Sequence, residues 1–434
     1  MEKVITRFPP SPTGNLHVGG LRTALFNYLF AKNNGGEMLF RIEDTDKERS
    51  KKEYEQNILD SLAWVGIKIP PIIRQSERTE IYKKYLDKLV KNGNAYLSKE
   101  IPKEEGDRTE VIRFKNPNKK IIFKDLILGD IEVDTTDLGD FVIAKDMDTP
   151  LYHLAVVVDD FEMSVNHVIR GQEHIANTPR QILIQEAIGA PRPKYAHIPL
   201  ILAPDKTKLS KRHGAVSVTQ YRDDGYLPET LINFLALIGW NPGDDREFFT
   251  LDELIKEFSL DKVQKSSGVF DVKKLNWMNR EYIKKIPKEK ISEIFLEHIP
   301  TEKKSHSNFI KIYPKLLGLI SDRVEKLSDV TGIFSSGEFD YFFEDPKYEN
   351  GLLKNTIHLS KVIKLLKNID SSEFFYEKIK SSLWDFATEA GRGEVLWPMR
   401  VALSGKEKSP DPFTLAEILG KDETLKRLSY ANKL

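Results

Sequence analysis

The spacing of apolar residues changes several times within the first 90 residues, and these changes predict strands that alternate with helices. Runs rich in β-branched and aromatic residues at 4–8 and 38–42 are typical of strands. Apolar residues at steps of three and four predict helices that begin near Gly19, extend over 51–64 and extend over 80–91. This β-α-β order favours a parallel sheet, which binds its ligands at the carboxyl ends of the strands.

Between 91 and 150 the pattern changes to short strands separated by turn signals. The predicted strands are 111–114, 121–123, 131–133 and 141–144. After this segment, the buried-type run 155–160 is predicted to be a strand whose two acidic residues mark its end. Another strand is predicted at 165–171, followed by a helix at 177–188.

From about residue 286 the chain becomes rich in lysine, and its pattern becomes helical. Apolar residues recur at steps of three and four in 309–324, 352–366 and 412–428. No internal repeat or low-complexity tract is visible in this part. The pattern alone predicts a structural bundle of helices.

Composition limits the class of protein. The 434 residues are enough for about two to four domains. Lys+Arg and Asp+Glu both number 66, so a nucleic-acid partner would need a local basic patch. The absence of cysteine excludes disulfides, thiol nucleophiles and cysteine-based zinc sites. The N-terminus has no signal-peptide core and no run reaches transmembrane length, so a cytoplasmic location is expected.

Residues 4–20 carry the first candidate chemistry. A loop stiffened by three prolines leads from the first strand to His17, Gly19 and Gly20 at the start of the first helix. A helix N-terminus has unpaired N–H groups and a partial positive charge, which favour phosphate. His17 can donate to a phosphate oxygen, and the glycines allow a nucleotide to approach the backbone. The alternative is an ordinary turn with a structural histidine.

A second candidate stretch, 205–214, places four cations around one hydroxyl residue. Lys208 and Lys211 lie on either side of Ser210. On its own, a run of charges of this kind is usually a solvated face.

Together, the two stretches resemble the signature motifs of the class I aminoacyl-tRNA synthetases, and the resemblance extends to the glutamyl-tRNA synthetases. The stretches that carry it are P-S-P-T-G-N-L-H-V-G-G (10–20), R-I-E-D-T-D (41–46), V-I-R-G-Q-E-H (168–174), L-S-K-R-H-G-A-V-S-V (209–218) and F-D-V-K-K-L-N-W-M-N (270–279). The resemblance is strong over the first two thirds of the chain and loose over the last third. P-S-P-T-G favours the glutamyl branch, because the glutaminyl enzymes look like P-E-P-N-G at this position.

Three departures from the family pattern are visible. Pro9 stands where bacterial members usually have alanine. Gly20 stands where the general class I motif has its final histidine, as is common in the glutamyl branch. Leu97 and Ser98 stand near the position at which some bacterial relatives have zinc-binding cysteines. A metal-free version of this region is therefore expected.

The resemblance implies an α/β Rossmann-type nucleotide-binding catalytic domain formed by 1–90 and 151–202. An inserted α+β connective domain would occupy 91–150. A stem-contact domain that contains the lysine loop would occupy 203–285, and a C-terminal all-α anticodon-binding bundle would occupy 286–434.

The activity that the resemblance implies has two steps. The enzyme would activate L-glutamate with ATP to form glutamyl-adenylate, and would transfer the glutamyl group to the 3′ end of tRNA(Glu). The sequence leaves open whether tRNA(Gln) is charged as well. Mg²⁺ would accompany ATP; no zinc, no membrane partner and a monomeric state are expected.

The resemblance also implies the residues of the site. Those implied to bind glutamate are Arg7, Ser11, Glu43, Tyr152 and Arg170, with Glu43 on the ammonium and Arg170 on the side-chain carboxylate. Those implied to bind ATP are Pro10, His17, Gly19, Gly20, Glu173, Lys208, Ser210 and Lys211, and His17, Lys208 and Lys211 are implied to be catalytic. Arginine suits a carboxylate because its planar fork makes two parallel bonds. Without the resemblance, either arginine would be interpreted as a member of a surface ion pair.

Arg392 and Arg400 are the candidate tRNA-binding residues of the helical bundle. They lie in 391–400, a basic stretch flanked by aromatic residues, which we interpret as the tip that faces the RNA. The alternative is a core helix on which the two arginines are merely exposed.

Two other functions compete with an active ligase. A truncated paralogue that glutamylates a modified tRNA base would lack the C-terminal bundle. An inactive RNA-binding relative would usually lose the lysine loop. This chain has both segments, so an active ligase is favoured.

The enzyme is predicted to be fully active without zinc, because it has no cysteine and its nine histidines show no ligand spacing. Metal analysis of the purified enzyme, followed by aminoacylation assays after exhaustive chelation, removal of the chelator and restoration of Mg²⁺, checks this. Charging should survive the treatment. About one tightly bound zinc per chain, whose removal abolishes charging, would contradict the prediction.

Overall fold

The structure, a computed structural model, describes residues 2–101, 109–207, 209, 217–348 and 351–434. The chain divides into two units, Met1–Asn279 and Arg280–Leu434. Within the described residues, no helix combines the length and the apolar character that crossing a bilayer requires.

Strands and helices alternate in much of the first unit. Its strands are β1 (Ile5–Phe8), β2 (Glu37–Ile42), β3 (Ile72–Arg74), β4 (Ala95–Lys99), β5 (Glu110–Phe114), β6 (Lys120–Asp125), β7 (Gly129–Asp134), β8 (Phe141–Asp146), β9 (Thr149–Pro150), β10 (His167–Gly171), β11 (Lys194–Ile198), β12 (Ile201–Leu202) and β13 (Gly268–Val269). Its helices are α1 (Val18–Asn33), α2 (Lys52–Trp64), α3 (Thr79–Lys91), α4 (Tyr152–Glu162), α5 (Thr178–Ile188), α6 (Val218–Asp223), α7 (Pro228–Leu237) and α8 (Leu251–Glu257), and α9 (Val272–Lys285) crosses the division between the units.

Two sets of parallel strands form the centre of the first unit. β1, β2 and β3 pair in parallel in that order, and β10 pairs in parallel with β11. A backbone hydrogen bond from Asn166 N to Ile5 O (3.1 Å) places the start of β10 beside the start of β1. Arg7 near the end of β1, Glu43 directly after β2 and Arg170 near the end of β10 therefore meet at the carboxyl edge, as predicted.

α1 packs against these strands through side chains that are buried on most of its faces. Leu21 and Leu25 are fully buried, at the spacing that predicted the helix. The buried amide of Asn27 donates to Ile169 O of β10 (2.9 Å), and the hydroxyl of Thr6 in β1 donates to Asn27 O (3.2 Å). These bonds fix the helix on both strands, with its N-terminus next to the carboxyl edge.

Residues 155–160 form part of α4, so the strand predicted there is wrong. Every residue from 154 to 160 is buried, and a helix that is buried all round has no polar face from which its period could be read. Three consecutive valines also favour a strand by local propensity. Packing against α3, α5 and β8 outweighs this preference.

The short strands predicted between 91 and 150 are confirmed. β4, β5, β8 and β9 form an antiparallel sheet, and β6 and β7 form an antiparallel hairpin. The hairpin joins β11 through a parallel pairing of Asp125 with Tyr195. Asp125 is thereby buried among the parallel strands.

The second unit is helical in its described part, as predicted. Its helices after α9 are α10 (Lys288–His298), α11 (Thr301–Lys304), α12 (Phe309–Ser321), α13 (Ser328–Ser335), α14 (Leu359–Lys367), α15 (Tyr376–Ala390), α16 (Arg392–Ser404), α17 (Pro412–Leu419) and α18 (Lys421–Ala431). The stretch 391–400 is helical almost throughout, since α16 contains it from Arg392 onward and buries Val395 and Met399. Arg392 is exposed and Arg400 is half-buried, which agrees with the helical interpretation of this stretch.

Candidate active site

His17 caps the start of α1. Its ring Nδ1 accepts a hydrogen bond from Gly20 N (3.0 Å), so the neutral ring carries its proton on Nε2. A Cβ at Gly19 would lie 3.1 Å from the His17 ring, which is tighter than ordinary packing, and glycine therefore leaves room for the cap. The exposed ring thus provides an N–H donor at a helix N-terminus, the arrangement that phosphate binding requires.

The loop after β1 lies against the turn after β2. Glu43 N donates to Pro10 O (3.0 Å), and Lys51 N donates to Pro12 O (3.0 Å). Ser11, which is exposed, is held between these contacts. The structure therefore brings the predicted residues Pro10 and Ser11 next to Glu43.

A cluster of buried charges is centred on Arg41 in β2. Arg41 Nη1 lies 2.9 Å from Asp160 Oδ1, and its Nη2 lies 3.1 Å from Glu43 Oε1. Its Nε lies 3.5 Å from Asp159 Oδ2. Arg41 was not among the predicted site residues, although an arginine between apolar residues of a strand is a signal of a buried ion pair.

Asp159 is saturated with donors. In addition to its ion pair with Arg41, it accepts hydrogen bonds from Arg78 Nε (2.6 Å), Gln75 Nε2 (2.8 Å) and Tyr82 OH (2.8 Å). A carboxylate with this many protein partners serves as an anchor of the fold and not as a ligand of the substrate.

Arg7 and Arg41 share the carboxylate of Asp160. Arg7 Nε lies 3.3 Å from Asp160 Oδ2. Burial alone would raise the pKa of Asp160, but the charges of Arg7 and Arg41 outweigh burial and lower it. Among the described residues, the buried Nη1 of Arg7 has no hydrogen-bond partner. An acceptor on a ligand would satisfy this donor, which is costly to leave unpaired.

Arg170 is held by neutral partners. It is only 5% exposed, and it donates from Nε to His197 Nε2 (3.1 Å), from Nη1 to Gln181 Oε1 (2.7 Å) and from Nη2 to Thr178 Oγ1 (2.7 Å). Within the described part of the chain, no carboxylate forms an ion pair with it. Burial lowers the pKa of this guanidinium, because it disfavours the charged form.

Tyr152, the first residue of α4, lies among the charged groups. Burial raises the pKa of its hydroxyl and the carboxylate of Glu43 raises it further, while Arg170 and Arg7 act in the opposite direction. The ring of Tyr152 also lies 6.4 Å from that of His174, in the turn that follows Arg170 and β10. Four of the five residues predicted to bind the amino acid therefore meet in one place, and the fifth, Ser11, lies in the adjoining loop.

The ion-paired cluster around Arg41 is balanced in charge, and Arg170 lies outside it. Three guanidiniums face three carboxylates: Arg7, Arg41, Arg78, Glu43, Asp159 and Asp160. Arg170 makes no direct ion pair among the described residues, and the buried carboxylate of Asp125 reaches it only through the ring of His197. A carboxylate of a ligand could therefore pair directly with Arg170.

The turn after β10 places Glu173 near α1. A Cβ at Gly171 would collide with the Glu173 carboxylate, so glycine allows that side chain to fold back over the turn. Burial lowers the pKa of Arg22 in α1 to about 10, and the nearby Glu173 carboxylate partly offsets this effect. Burial also lowers the pKa of His174 to about 4, so its ring is neutral at pH 7.

The three predicted residues of the lysine loop, Lys208, Ser210 and Lys211, lie outside the described residues. The described chain continues at Ser217, which pairs with His17 in an antiparallel bridge. Val218 N also donates to Leu16 O (2.9 Å). The residues that directly follow the lysine loop therefore lie against the start of α1.

The region around Leu97 and Ser98, where a metal-free version is expected, contains ordinary strand residues. Leu97 and Ser98 both lie in β4. Across the ranges that the structure describes, no group of three or more His, Asp or Glu side chains is placed to hold a metal ion. The zinc-free activity stays a prediction.

Two arginine–tryptophan pairs lie in the second unit. Arg400 Cζ is 4.5 Å from the ring centroid of Trp397, and Arg392 Cζ is 4.4 Å from that of Trp384. Trp397 is 37% exposed and lines a cavity of about 410 Å³ together with Arg400 and Tyr341. Exposed aromatic rings beside arginines are surfaces on which nucleobases stack.

Two protein families match the chain. The family described as tRNA synthetases class I (E and Q), catalytic domain, matches residues 3–105 and 98–277. The family described as anticodon binding domain matches residues 260–432.

Individual relatives match the chain over nearly its whole length. Glutamate–tRNA ligase 1 of Caldicellulosiruptor saccharolyticus is 41% identical over an alignment of 485 residues. The alignment covers 99% of this chain and 99% of the relative. Glutamate–tRNA ligase 2 of Thermoanaerobacter pseudethanolicus is 38% identical over an alignment of 479 residues, and the alignment covers 99% of this chain and 98% of the relative. The crystal structure of a glutamate tRNA ligase from Elizabethkingia meningosepticum in complex with its amino acid is 34% identical, with a TM-score of 0.86 and coverage of 100% of this chain and 99% of that chain.

Glu43→Gln is expected to stabilise the ligand-free protein at pH 7. Burial raises the pKa of Glu43 against the opposing effect of Arg41, so the ionised carboxylate destabilises the folded state, whereas glutamine keeps an acceptor for Arg41. Melting temperatures measured from pH 7 downward should show that the advantage of the variant shrinks. The reason is that wild-type Glu43 becomes protonated in the folded state as the pH falls through its raised pKa, which removes the destabilisation.

Glu186→Gln is the matched control, because Glu186 forms half-exposed ion pairs with Lys119 and Arg192. This variant should change the melting temperature little at any pH in the series. A melting temperature below that of the wild type for Glu43→Gln at pH 7 would contradict the interpretation of Glu43.

Proposed function

The chain belongs to the class I tRNA synthetases for glutamate and glutamine, and we propose that it is a glutamate–tRNA ligase. It activates L-glutamate with ATP to form glutamyl-adenylate and transfers the glutamyl group to the 3′ end of tRNA(Glu). AMP and diphosphate are the other products. The similarity to glutamate–tRNA ligases over nearly the whole chain supports an enzyme with both the catalytic and the anticodon-binding part.

The observation that carries this proposal is the buried guanidinium of Arg170, which no carboxylate contacts directly among the described residues. Glutamate has two carboxylates and one ammonium, so its side-chain carboxylate can supply the ion pair that Arg170 lacks. Glutamine has no net charge, and its binding would leave Arg170 buried without a counterion. The charge balance therefore favours glutamate.

Each charged group of glutamate has a matching group in the site. The side-chain carboxylate binds to Arg170, whose guanidinium makes charge-assisted bonds. The ammonium binds to Glu43, whose disfavoured negative charge it neutralises. Arg7, Tyr152 and Ser11 complete the pocket, and the unpaired Nη1 of Arg7 offers a further donor to a carboxylate oxygen.

ATP binds at the N-terminus of α1. The residues that we assign to it are Pro10, His17, Gly19, Gly20, Glu173, Lys208, Ser210 and Lys211. His17 and the N–H groups of the helix stabilise the negative charge of the phosphates, and Lys208 and Lys211 supply cations. Mg²⁺ would enter with ATP and shield the β- and γ-phosphates. No zinc takes part.

The two steps need alignment and charge more than a protein nucleophile. In the first, an oxygen of the glutamate α-carboxylate forms a bond to the α-phosphorus of ATP while the bond to the β-phosphate oxygen breaks, and diphosphate leaves. In the second, a hydroxyl of the terminal ribose of tRNA attacks the carbonyl carbon, loses its proton and displaces AMP. The absence of cysteine from the chain is compatible with both steps.

Arg392 and Arg400 contact the tRNA in this proposal. Each lies over a tryptophan ring, which orders the arginine before RNA arrives. The match of residues 260–432 to an anticodon-binding family supports this role and disfavours the truncated paralogue, which lacks such a unit. The enzyme is proposed to act as a monomer in the cytoplasm.

Arg170→Ala is expected to raise the KM for glutamate by roughly 30-fold to several thousand-fold, with little change in the KM for ATP. The reason is that truncating one partner of a buried, hydrogen-bonded charge pair costs about 2–5 kcal/mol. ATP–pyrophosphate exchange in the presence of tRNA(Glu) measures both constants.

Arg192→Ala is the matched control in the same unit. Arg192 pairs with Glu186 at the surface and precedes the amino end of β11, away from the carboxyl edge. Its loss should leave both KM values within about twofold of the wild type. An unchanged KM for glutamate in Arg170→Ala would remove Arg170 from the pocket.

A further inference from the structure

A buried chain of hydrogen bonds leads to Arg170 from the side of β6. Asp125 Oδ2 lies 2.7 Å from His197 Nδ1, and Arg170 Nε lies 3.1 Å from His197 Nε2. The three residues come from β6, β11 and β10, and both Asp125 and His197 are essentially inaccessible to solvent. Neither Asp125 nor His197 belongs to the residues assigned above to glutamate or ATP.

The donors in this series of hydrogen bonds determine which ring nitrogen of His197 carries the proton. Arg170 has N–H donors and no acceptor, so His197 Nε2 must accept and cannot carry a proton. The proton of the neutral ring is therefore on Nδ1, where it is donated to Asp125. Burial lowers the pKa of His197, which agrees with a neutral ring.

Asp125 is held in the ionised form that this arrangement needs. Its Oδ1 accepts from Ile127 N and Leu128 N (2.9 Å each), and its Oδ2 accepts from His197 N (3.1 Å) as well as from the ring. Burial alone would raise the pKa of Asp125, but these hydrogen bonds outweigh burial and lower it. The carboxylate is thus fixed in position and charge.

We propose that Asp125 and His197 are positioning residues that orient the guanidinium of Arg170 toward the side-chain carboxylate of the amino acid. This inference rests on the proposed function, in which Arg170 binds that carboxylate. His197 binds the Nε edge of the guanidinium, and Gln181 and Thr178 each bind one of the two Nη groups. The remaining N–H bonds of the Nη groups are then directed toward the ligand. The plane of the Arg170 guanidinium is then fixed before the substrate binds.

The neutral ring between Asp125 and Arg170 has a physical purpose. An aspartate placed directly on Arg170 would fix its orientation but would also neutralise the charge that the substrate needs. The imidazole transmits the orientation through hydrogen bonds while it keeps the carboxylate off the guanidinium. Arg170 is thereby oriented and remains free to form its ion pair with the ligand.

Asp125→Asn tests the proposal, because it reverses the donor and acceptor roles along the hydrogen bonds from residue 125 through His197 to Arg170. The amide oxygen is needed at the Oδ1 position by two backbone N–H groups, so the amide NH₂ faces His197 Nδ1. The ring must then carry its proton on Nε2. Two N–H donors, His197 Nε2–H and Arg170 Nε–H, would then face each other, and the hydrogen bond between them would be lost. We expect the KM for glutamate to rise roughly 10-fold to 100-fold, by analogy with the loss of residues that orient metal ligands, with the KM for ATP within about twofold of the wild type.

A double-mutant cycle with Arg170→Ala separates positioning from general damage to the fold. If Asp125 acts through Arg170, adding Asp125→Asn to Arg170→Ala should change kcat/KM for glutamate by less than about twofold. An additional loss of about 10-fold or more in that background would overturn the proposal, as would an unchanged KM for glutamate in Asp125→Asn alone. Melting temperatures and the KM for ATP report on folding.

His197→Gln and His197→Phe keep the proposal testable if Asp125→Asn does not fold. Glutamine retains an acceptor within reach of Arg170 and a donor for Asp125, whereas phenylalanine retains neither. The KM for glutamate should be nearer to the wild-type value in the glutamine variant; equal values for the two variants would overturn the proposal.

The cycle also distinguishes this proposal from the proposed function. If Arg170→Ala raises the KM for glutamate and Asp125→Asn does not, the positioning role alone fails. If Arg170→Ala itself leaves the KM for glutamate unchanged, the assignment of the glutamate pocket fails and the positioning role is overturned with it.

Discussion

The ion-paired cluster of Arg7, Arg41, Arg78, Glu43, Asp159 and Asp160, with the buried guanidinium of Arg170 beside it, is the constraint on which the site depends. A charge in the interior costs several kcal/mol unless partners surround it, so the fold must bring these groups together to within hydrogen-bond distance. Arg41 does this for three carboxylates at once, and it links the end of β2 to the last turns of α4. The position of Arg7 follows, because it shares Asp160 with Arg41.

The same constraint prepares the site for a zwitterionic ligand with an additional carboxylate. In the ligand-free protein, burial disfavours the negative charge of Glu43 and the positive charge of Arg170, as the directions of their pKa shifts show. An ammonium relieves the first and a carboxylate relieves the second. Glutamate carries both groups, and its second carboxylate has a further donor on Arg7. Binding energy is thus concentrated on groups that the fold has already desolvated.

Local patterns predicted the elements, and tertiary pairing decided most of what they missed. The helix after Gly19 and the short strands between 91 and 150 followed from apolar spacing, and the carboxyl edge followed from the β-α-β order. α4 was mistaken for a strand because burial on every side removed its period. His197 and Asp125 could not be found in this way, since they are 72 residues apart and meet only through the pairing of β6 with β11. The roles of the lysine loop came from family resemblance alone.

ATP–pyrophosphate exchange with tRNA(Glu) present, measured with glutamate and with glutamine at equal concentrations, tests the central claim most directly. The claim is that the buried guanidinium of Arg170, which no carboxylate contacts directly among the described residues, selects an amino acid whose side chain carries a negative charge. The account predicts exchange that depends on glutamate and no exchange above background with glutamine. Comparable exchange with both amino acids, or none with glutamate, would contradict it.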